Sequence, residues 1–205
     1  DFSNYHILEN KSPNLCADRL DGVLHTGYIW LQKNTLNQIE EVYNNLEVLT
    51  NEFGLPEIGF QDLEPAEQFV DMVYHYAKEL QGNKDKYVMM YISELVKLSF
   101  ERGLLNLEDL YQKKEADICN LFATNFSSWT DFKEAQSIIV QEEIPEENFY
   151  ISFDIKKRNT IPLVKTNTGS KRIIDLSMIA KEKYQNLEDY HDKSYAYVKK
   201  IKEII

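Results

Sequence analysis

The sequence predicts a mainly α-helical protein that ends in a small antiparallel β-containing part. Apolar residues recur at helical spacing through most of the first 140 residues, whereas apolar and polar residues alternate after Pro145. A chain of 205 residues is long enough for one main core with a small appendage. We therefore expect a helical portion over residues 1–140 and a small α+β appendage over residues 141–205.

The first helix is predicted between Pro13 and Trp30, where apolar residues share one face and acidic residues share the opposite one. Thr35 can cap a second helix, which we expect to end near Asn51. Glycine and proline are dense in residues 52–61, and this density predicts a loop.

Two longer helices are expected to form an antiparallel hairpin. The first carries Pro65 in its first turn and ends before Gly82. The second extends from Lys84 to Glu101, and Gly103 ends it.

Shorter helices are predicted between Asn106 and Ile138, before strands replace helices. Alternation over residues 149–155 predicts a half-buried strand, and residues 160–164 and 171–174 are expected to pair with it in one antiparallel sheet. Residues 194–198 are the candidate last strand. Side chains of one parity are expected to point to the core, namely Phe149, Ile151, Phe153 and Ile155.

Composition restricts the partners of the chain. Its 34 acidic and 23 basic residues give a net charge of −11, which repels phosphate backbones and disfavours a nucleic-acid duplex. The longest apolar stretch, around Tyr87–Ile92, is far shorter than the roughly 18 residues of a membrane span, so no membrane partner is expected. Cys16, Cys119 and the lack of a secretory leader favour a cytoplasmic location.

The segment Cys16–Leu24 holds the most informative polar residues. Asp18 and Asp21 lie one helical turn apart, so both carboxylates project together and suit a divalent cation or an acid–base pair. Arg19 lies about 100° further round the helix and can reach a phosphate beside them. The alternative, which the spacing alone favours, is a solvated acidic helix face.

Residues outside this pair of carboxylates add three expectations. Leu15 and Ile29 flank the acidic stripe, which predicts that Asp18 faces a polar pocket rather than bulk water. His25 shares the stripe but lies about 10 Å further along the helix, too far to ligate the same ion, so it either contacts substrate or is structural. The basic run Lys156–Arg158 either binds an anion or forms a solvated turn.

Ala17–Asp21 resembles the last metal-ligand motif of the HD-superfamily metal-dependent phosphohydrolases, whose helix typically has the sequence A-D-R/K-L-D/E-Y. In that family a His, a His-Asp pair and this final Asp bind one or two metal ions, which activate water against a phosphate ester. The resemblance implies that Asp18 is a metal ligand, that Asp21 is the catalytic acidic residue and that Arg19 contacts the substrate phosphate. His25 is a further candidate substrate contact.

The motif departs from the family at two positions. Gly22 stands where the family has an aromatic residue, and Thr26 stands where its triphosphohydrolases have a further Asp. The family's His and His-Asp ligands precede the motif, whereas no His-Asp dipeptide occurs before Asp18. The one His-Asp dipeptide of the chain, His191-Asp192, lies far downstream.

The resemblance implies that the chain is the C-terminal portion of a phosphohydrolase, with residues 1–140 as its helical HD-like part. It implies a divalent metal ion of unknown identity and a small phosphorylated substrate, nucleotides being among the candidates. Because only one of the family's metal ligands is in view, we expect the chain as given to be catalytically inert. The alternative is a non-catalytic interaction or regulatory module with a degenerate HD site, and a homo-oligomer is left open.

Overall fold

Backbone hydrogen bonds define eight α-helices and seven short strands within residues 5–153 and 156–204, the part of the chain that this computed structural model describes. In chain order they are α1 (Ala17–Ile29), α2 (Leu36–Asn44), β1 (Leu46–Thr50), β2 (Pro56–Phe60), α3 (Leu63–Leu80), α4 (Asn83–Glu101), α5 (Leu107–Gln112), α6 (Glu115–Asn125), α7 (Ser127–Glu134), β3 (Ile139–Gln141), β4 (Tyr150–Ile151), β5 (Leu163–Thr166), β6 (Gly169–Arg172), α8 (Met178–Glu188) and β7 (Tyr195–Tyr197). The fold is therefore rich in helices but mixed α/β.

The chain divides into two units, each made of two stretches of sequence. The first unit is Asp1–Gln81 with Lys156–Tyr190, and the second is Gly82–Ile155 with His191–Ile205. The division predicted at residues 140 and 141 falls inside the second unit. None of the helices within the described ranges combines the length and the apolar character that crossing a membrane requires.

A mixed sheet forms the centre of the first unit. Its strand order is β1-β2-β5-β6, in which β2 and β5 are parallel and the two outer pairs are antiparallel. Gly59 allows β2 to approach β5 closely, because a Cβ atom at this position would lie 2.7 Å from the carbonyl oxygen of Leu163. Helices α1, α2, α3 and α8 supply most of the other core residues of this unit.

The β1–β2 hairpin corrects two predictions. Helix α2, capped by Thr35 as expected, ends at Asn44, and residues 52–61 contain a strand. The connection is a turn held by Asn51, whose side-chain Oδ1 accepts hydrogen bonds from the backbone N–H groups of Phe53 and Leu55, each at 3.0 Å. Local turn residues were therefore detected correctly, but the strands on either side of them were missed.

The single sheet predicted over residues 149–174 is also wrong. Strand β4 pairs with β7 in a three-stranded antiparallel sheet of order β3-β7-β4, whereas β5 and β6 pair within the sheet of the first unit. Ile151 is buried and Phe149 is half-buried, as expected, but Phe153 is 45% exposed and Ile155 lies outside the described residues. The last strand is confirmed at β7.

The two long helices form where they were predicted. Pro65 lies in the first turn of α3, and α4 ends at Glu101, before Gly103 with φ of +67°. The two helices belong to different units, since α3 contributes to the core of the first unit and α4 to that of the second, and the predicted hairpin stays a prediction. In the second unit, α4 buries Tyr87 and Tyr91 among the aromatic residues of α6 and α7.

A buried carboxylate links distant segments of the first unit. Glu57 on β2 is fully buried and accepts hydrogen bonds from the backbone N–H of Leu15 at 3.0 Å and from Nδ2 of Asn51 at 3.2 Å. The guanidinium of Arg172 donates to both of its oxygens, at 2.6 and 3.0 Å. Burial alone would lower the pKa of Arg172, but hydrogen bonds and charges from Glu57 and Glu52 raise it above its ordinary value.

We expect Arg172→Met to lower the free energy of unfolding by about 3–5 kcal/mol, because it leaves the Glu57 carboxylate buried without its cation. Urea denaturation measures this change. The matched control is Lys165→Met, which removes the exposed ion pair with Glu47 and should cost at most about 1 kcal/mol. Equal losses in the two variants would contradict the account.

Candidate functional site

A cavity of about 730 Å³ lies in the first unit, between α1, α3 and two loop segments, residues 9–12 and 156–160. We call it the cationic cavity, because five lining side chains are cationic and two are anionic. The cations are Lys11, Arg19, Lys156, Lys157 and Arg158, and the anions are Glu9 and Asp18. This local excess opposes the net charge of −11, and a positively charged concavity attracts anions.

Hydrogen bonds hold the basic run in place. The side chain of Gln81, which is 1% exposed, donates from Nε2 to the carbonyl oxygen of Arg158 at 3.0 Å. The hydroxyl of Ser12 donates to the carbonyl oxygen of Asn159 at 3.2 Å. Because these bonds fix the backbone, the cavity wall is formed before any ligand arrives.

Three of the cations are available to a ligand. Lys11, Lys156 and Arg158 are exposed, and within residues 5–153 and 156–204 their side chains form no ion pair or hydrogen bond. Lys157 differs, since its ammonium donates to the carbonyl oxygen of Tyr190. The sequence analysis left two roles open for the basic run, anion binding and a solvated turn. A solvated turn does not describe Lys157, because its ammonium has a protein partner.

Arg19 lines the cavity, but its guanidinium already has partners. Its Nη1 atom donates to Oδ1 of Asn10 at 2.5 Å and to the carbonyl oxygen of Asn14, and Nη2 donates to the carbonyl oxygen of Asn10. Nη2 also lies 3.4 Å from Oε1 of Glu9. The geometry thus makes Arg19 a clamp that holds the loop before α1, and its predicted contact with phosphate stays a prediction.

Asp18 is exposed and borders the cationic cavity, as the second residue of α1. Of its predicted apolar flanks, Leu15 is fully buried in the core of the unit but Ile29 is 49% exposed, so the predicted cover of the stripe at Ile29 is absent. A carboxylate in the first turn also interacts favourably with the helix dipole, which is a structural reason for an acid at this position.

Asp21 and His25 are exposed on the same face of α1, and neither lines the cavity. The structure therefore brings Asp18 and Arg19 together with the basic run but leaves Asp21 and His25 apart from it. Among the described residues, no group of three or more His, Cys, Asp or Glu side chains is placed to hold a metal ion. The roles predicted for Asp21 and His25 stay predictions.

Lys11 is the lining cation that sequence reasoning missed. No local pattern links residues 9–12 with residues 156–160, which are brought together by long-range hydrogen bonds such as that from Ile161 N–H to the carbonyl oxygen of Pro13, at 2.8 Å. A cluster of cations assembled from such distant segments leaves no motif in the sequence.

Neither a protein-family model nor a curated protein nor a solved structure matches the chain. The resemblance to the HD superfamily therefore depends on the short motif Ala17–Asp21 at the start of α1.

Arg19→Gln should lower the free energy of unfolding by about 1.5–3 kcal/mol, because it leaves the carbonyl oxygens of the loop before α1 without a charged donor. Thermal or urea unfolding would show the loss. Lys181→Gln, an exposed change on α8 with the same change in charge, should stay within about 0.5 kcal/mol of the wild type. Wild-type stability of Arg19→Gln combined with weakened anion binding would instead assign Arg19 to the ligand.

Proposed function

We propose that the first unit binds a small phosphorylated ligand in the cationic cavity, as the phosphate-binding part of a metal-dependent phosphohydrolase. The observation that carries the proposal is the convergence of Lys11, Lys156 and Arg158, unpaired among the described residues, on one cavity of an acidic protein. A phosphate group offers these side chains strong charge-assisted hydrogen bonds, which Arg can form in a bidentate manner.

The size of the cavity favours a small molecule over a macromolecule. A volume of about 730 Å³ lies within the range of about 300–1,000 Å³ that is typical of small-molecule sites. Tyr76 and Thr160 add hydroxyl groups to the wall, and Gly22 leaves space beside Tyr76. The acidic remainder of the chain repels an extended polyanion, which supports the expectation that no nucleic-acid duplex binds.

Hydrolysis is the second part of the proposal, and the position of Asp18 on the same cavity supports it. An Asp beside bound phosphate can hold a divalent ion, which lowers the pKa of a bound water and neutralises the developing charge. One carboxylate holds such an ion weakly, since most of its hydration shell stays in place. Catalysis would therefore need further ligands from beyond the residues described.

Isothermal titration of inorganic pyrophosphate into the 205-residue chain tests the binding. We expect Lys156→Gln/Arg158→Gln to weaken binding by about tenfold or more, because two charge-assisted contacts are lost. The matched control Lys199→Gln/Lys202→Gln changes the same charge at exposed positions of the second unit and should change the affinity less than about twofold. Equal losses in both variants, or no binding by the wild type, would refute the proposal.

The same titration in the presence of Mn²⁺ tests the metal. If Asp18 is a ligand, Mn²⁺ should tighten pyrophosphate binding by the wild type but not by Asp18→Asn, whereas binding without metal should persist in both. If Mn²⁺ has no effect on either protein, the proposal of hydrolysis is contradicted. The chain would then be a non-catalytic module that binds phosphate.

A further inference from the structure

A second cavity, of about 770 Å³, adjoins the cationic cavity in the first unit. The two cavities share the segment Glu9–Ser12 as a common wall. The remaining walls of the second cavity come from His6, from residues 13–14, from the turn at residues 51–56 and from Ile161 and Arg172. We call it the apolar cavity, because its wall presents a set of apolar side chains, namely Pro13, Phe53, Leu55, Pro56 and Ile161.

The apolar cavity leaves large side chains in contact with water. Phe53 is 74% exposed and Leu55 is 38% exposed. Both belong to the tight turn that connects β1 and β2. An exposed apolar wall around a concave surface is typical of a ligand site.

Hydrogen bonds fix the turn that carries these side chains. Asn51 accepts from the backbone N–H groups of Phe53 and Leu55, and its own Nδ2 donates to the buried carboxylate of Glu57 at 3.2 Å. The wall formed by residues 13–14 directly precedes Leu15, whose N–H donates to the same carboxylate at 3.0 Å. Both walls are thus tied to one buried group, so ligand binding needs little ordering of the chain.

The positions of the charged side chains indicate which part of a ligand each cavity suits. In the apolar cavity Arg172 is already paired, with Glu57 and with Glu52 at 2.8 Å, and so offers little to an anion. Lys11 is the cation common to both cavities, and the other unpaired lysine and arginine of the described residues nearby, Lys156 and Arg158, line the cationic cavity alone. An anionic group therefore belongs in the cationic cavity and an apolar group in its neighbour.

We infer that the apolar cavity receives the organic group of the same ligand whose phosphate occupies the cationic cavity, and that the ligand is an aryl phosphate ester or a similarly apolar monoester. This inference rests on the phosphate binding proposed above. The shared wall at Glu9–Ser12 lets one molecule contact both cavities, with Lys11 near the junction of its phosphate and its apolar group.

Calorimetric titration with phenyl phosphate and methyl phosphate, which carry the same charge, tests the inference on the 205-residue chain. The wild type should bind phenyl phosphate about tenfold more tightly than methyl phosphate, because the ring is removed from water. Phe53→Ser should reduce this ratio to about threefold or less while leaving methyl phosphate binding unchanged. Tyr111→Ser, which removes an 83% exposed aromatic ring in the second unit, should leave the ratio unchanged.

The outcomes separate this inference from the proposed function. Binding of both esters with equal affinity, or a ratio that Phe53→Ser does not alter, would overturn the inference and leave phosphate binding standing. Failure of both esters to bind would overturn both. If Phe53→Ser instead shifts the elution volume in size-exclusion chromatography and spares the ratio, the apolar wall contacts a second copy of the chain and the inference is wrong.

Discussion

The buried carboxylate of Glu57 is the interaction on which the first unit depends. It receives hydrogen bonds from three separate segments, at Leu15, Asn51 and Arg172. A buried ion is tolerated only where its partners are held in place, so these segments must stay together while the unit is folded. Asn51 and Arg172 also line the apolar cavity, and the loop that precedes Leu15 contains the wall shared with the cationic cavity. Site geometry and stability therefore have a common origin.

Periodicity predicted the helices well because each buries one continuous stripe. Thr35 caps α2 at the expected position, and Asn106 and Ser177 cap α5 and α8 in the same way, because their short polar side chains accept a free N–H group of the first turn. The β1 strand was missed because Leu46 and Leu49 fit a helical stripe as well as a strand. Alternation after residue 148 identified the buried face of Ile151 but not its partner, because strand pairing depends on distant segments rather than on local period.

The candidate site was only partly predictable. The HD-like motif predicted a site at Asp18, which does border a cavity. Anion binding was one of the two roles predicted for the basic run. What the sequence could not indicate is that residues 9–12 and 156–160 meet, since no local pattern specifies that contact. Arg19 shows a different limit of sequence reasoning. Its position on the helix predicted a side chain free to contact phosphate, whereas its N–H groups donate to the carbonyl oxygens of Asn10 and Asn14. Competition between structural and functional partners is decided only in three dimensions.

In our proposal the cations that converge in the first unit form a phosphate site. Anomalous diffraction from crystals soaked in tungstate, a tetrahedral anion with strong anomalous scattering, tests this phosphate site. We predict an anomalous peak in the cationic cavity, within hydrogen-bonding distance of the side chain of Lys156 or Arg158. Tungstate bound elsewhere, with this cavity open to solvent and empty, would contradict the account.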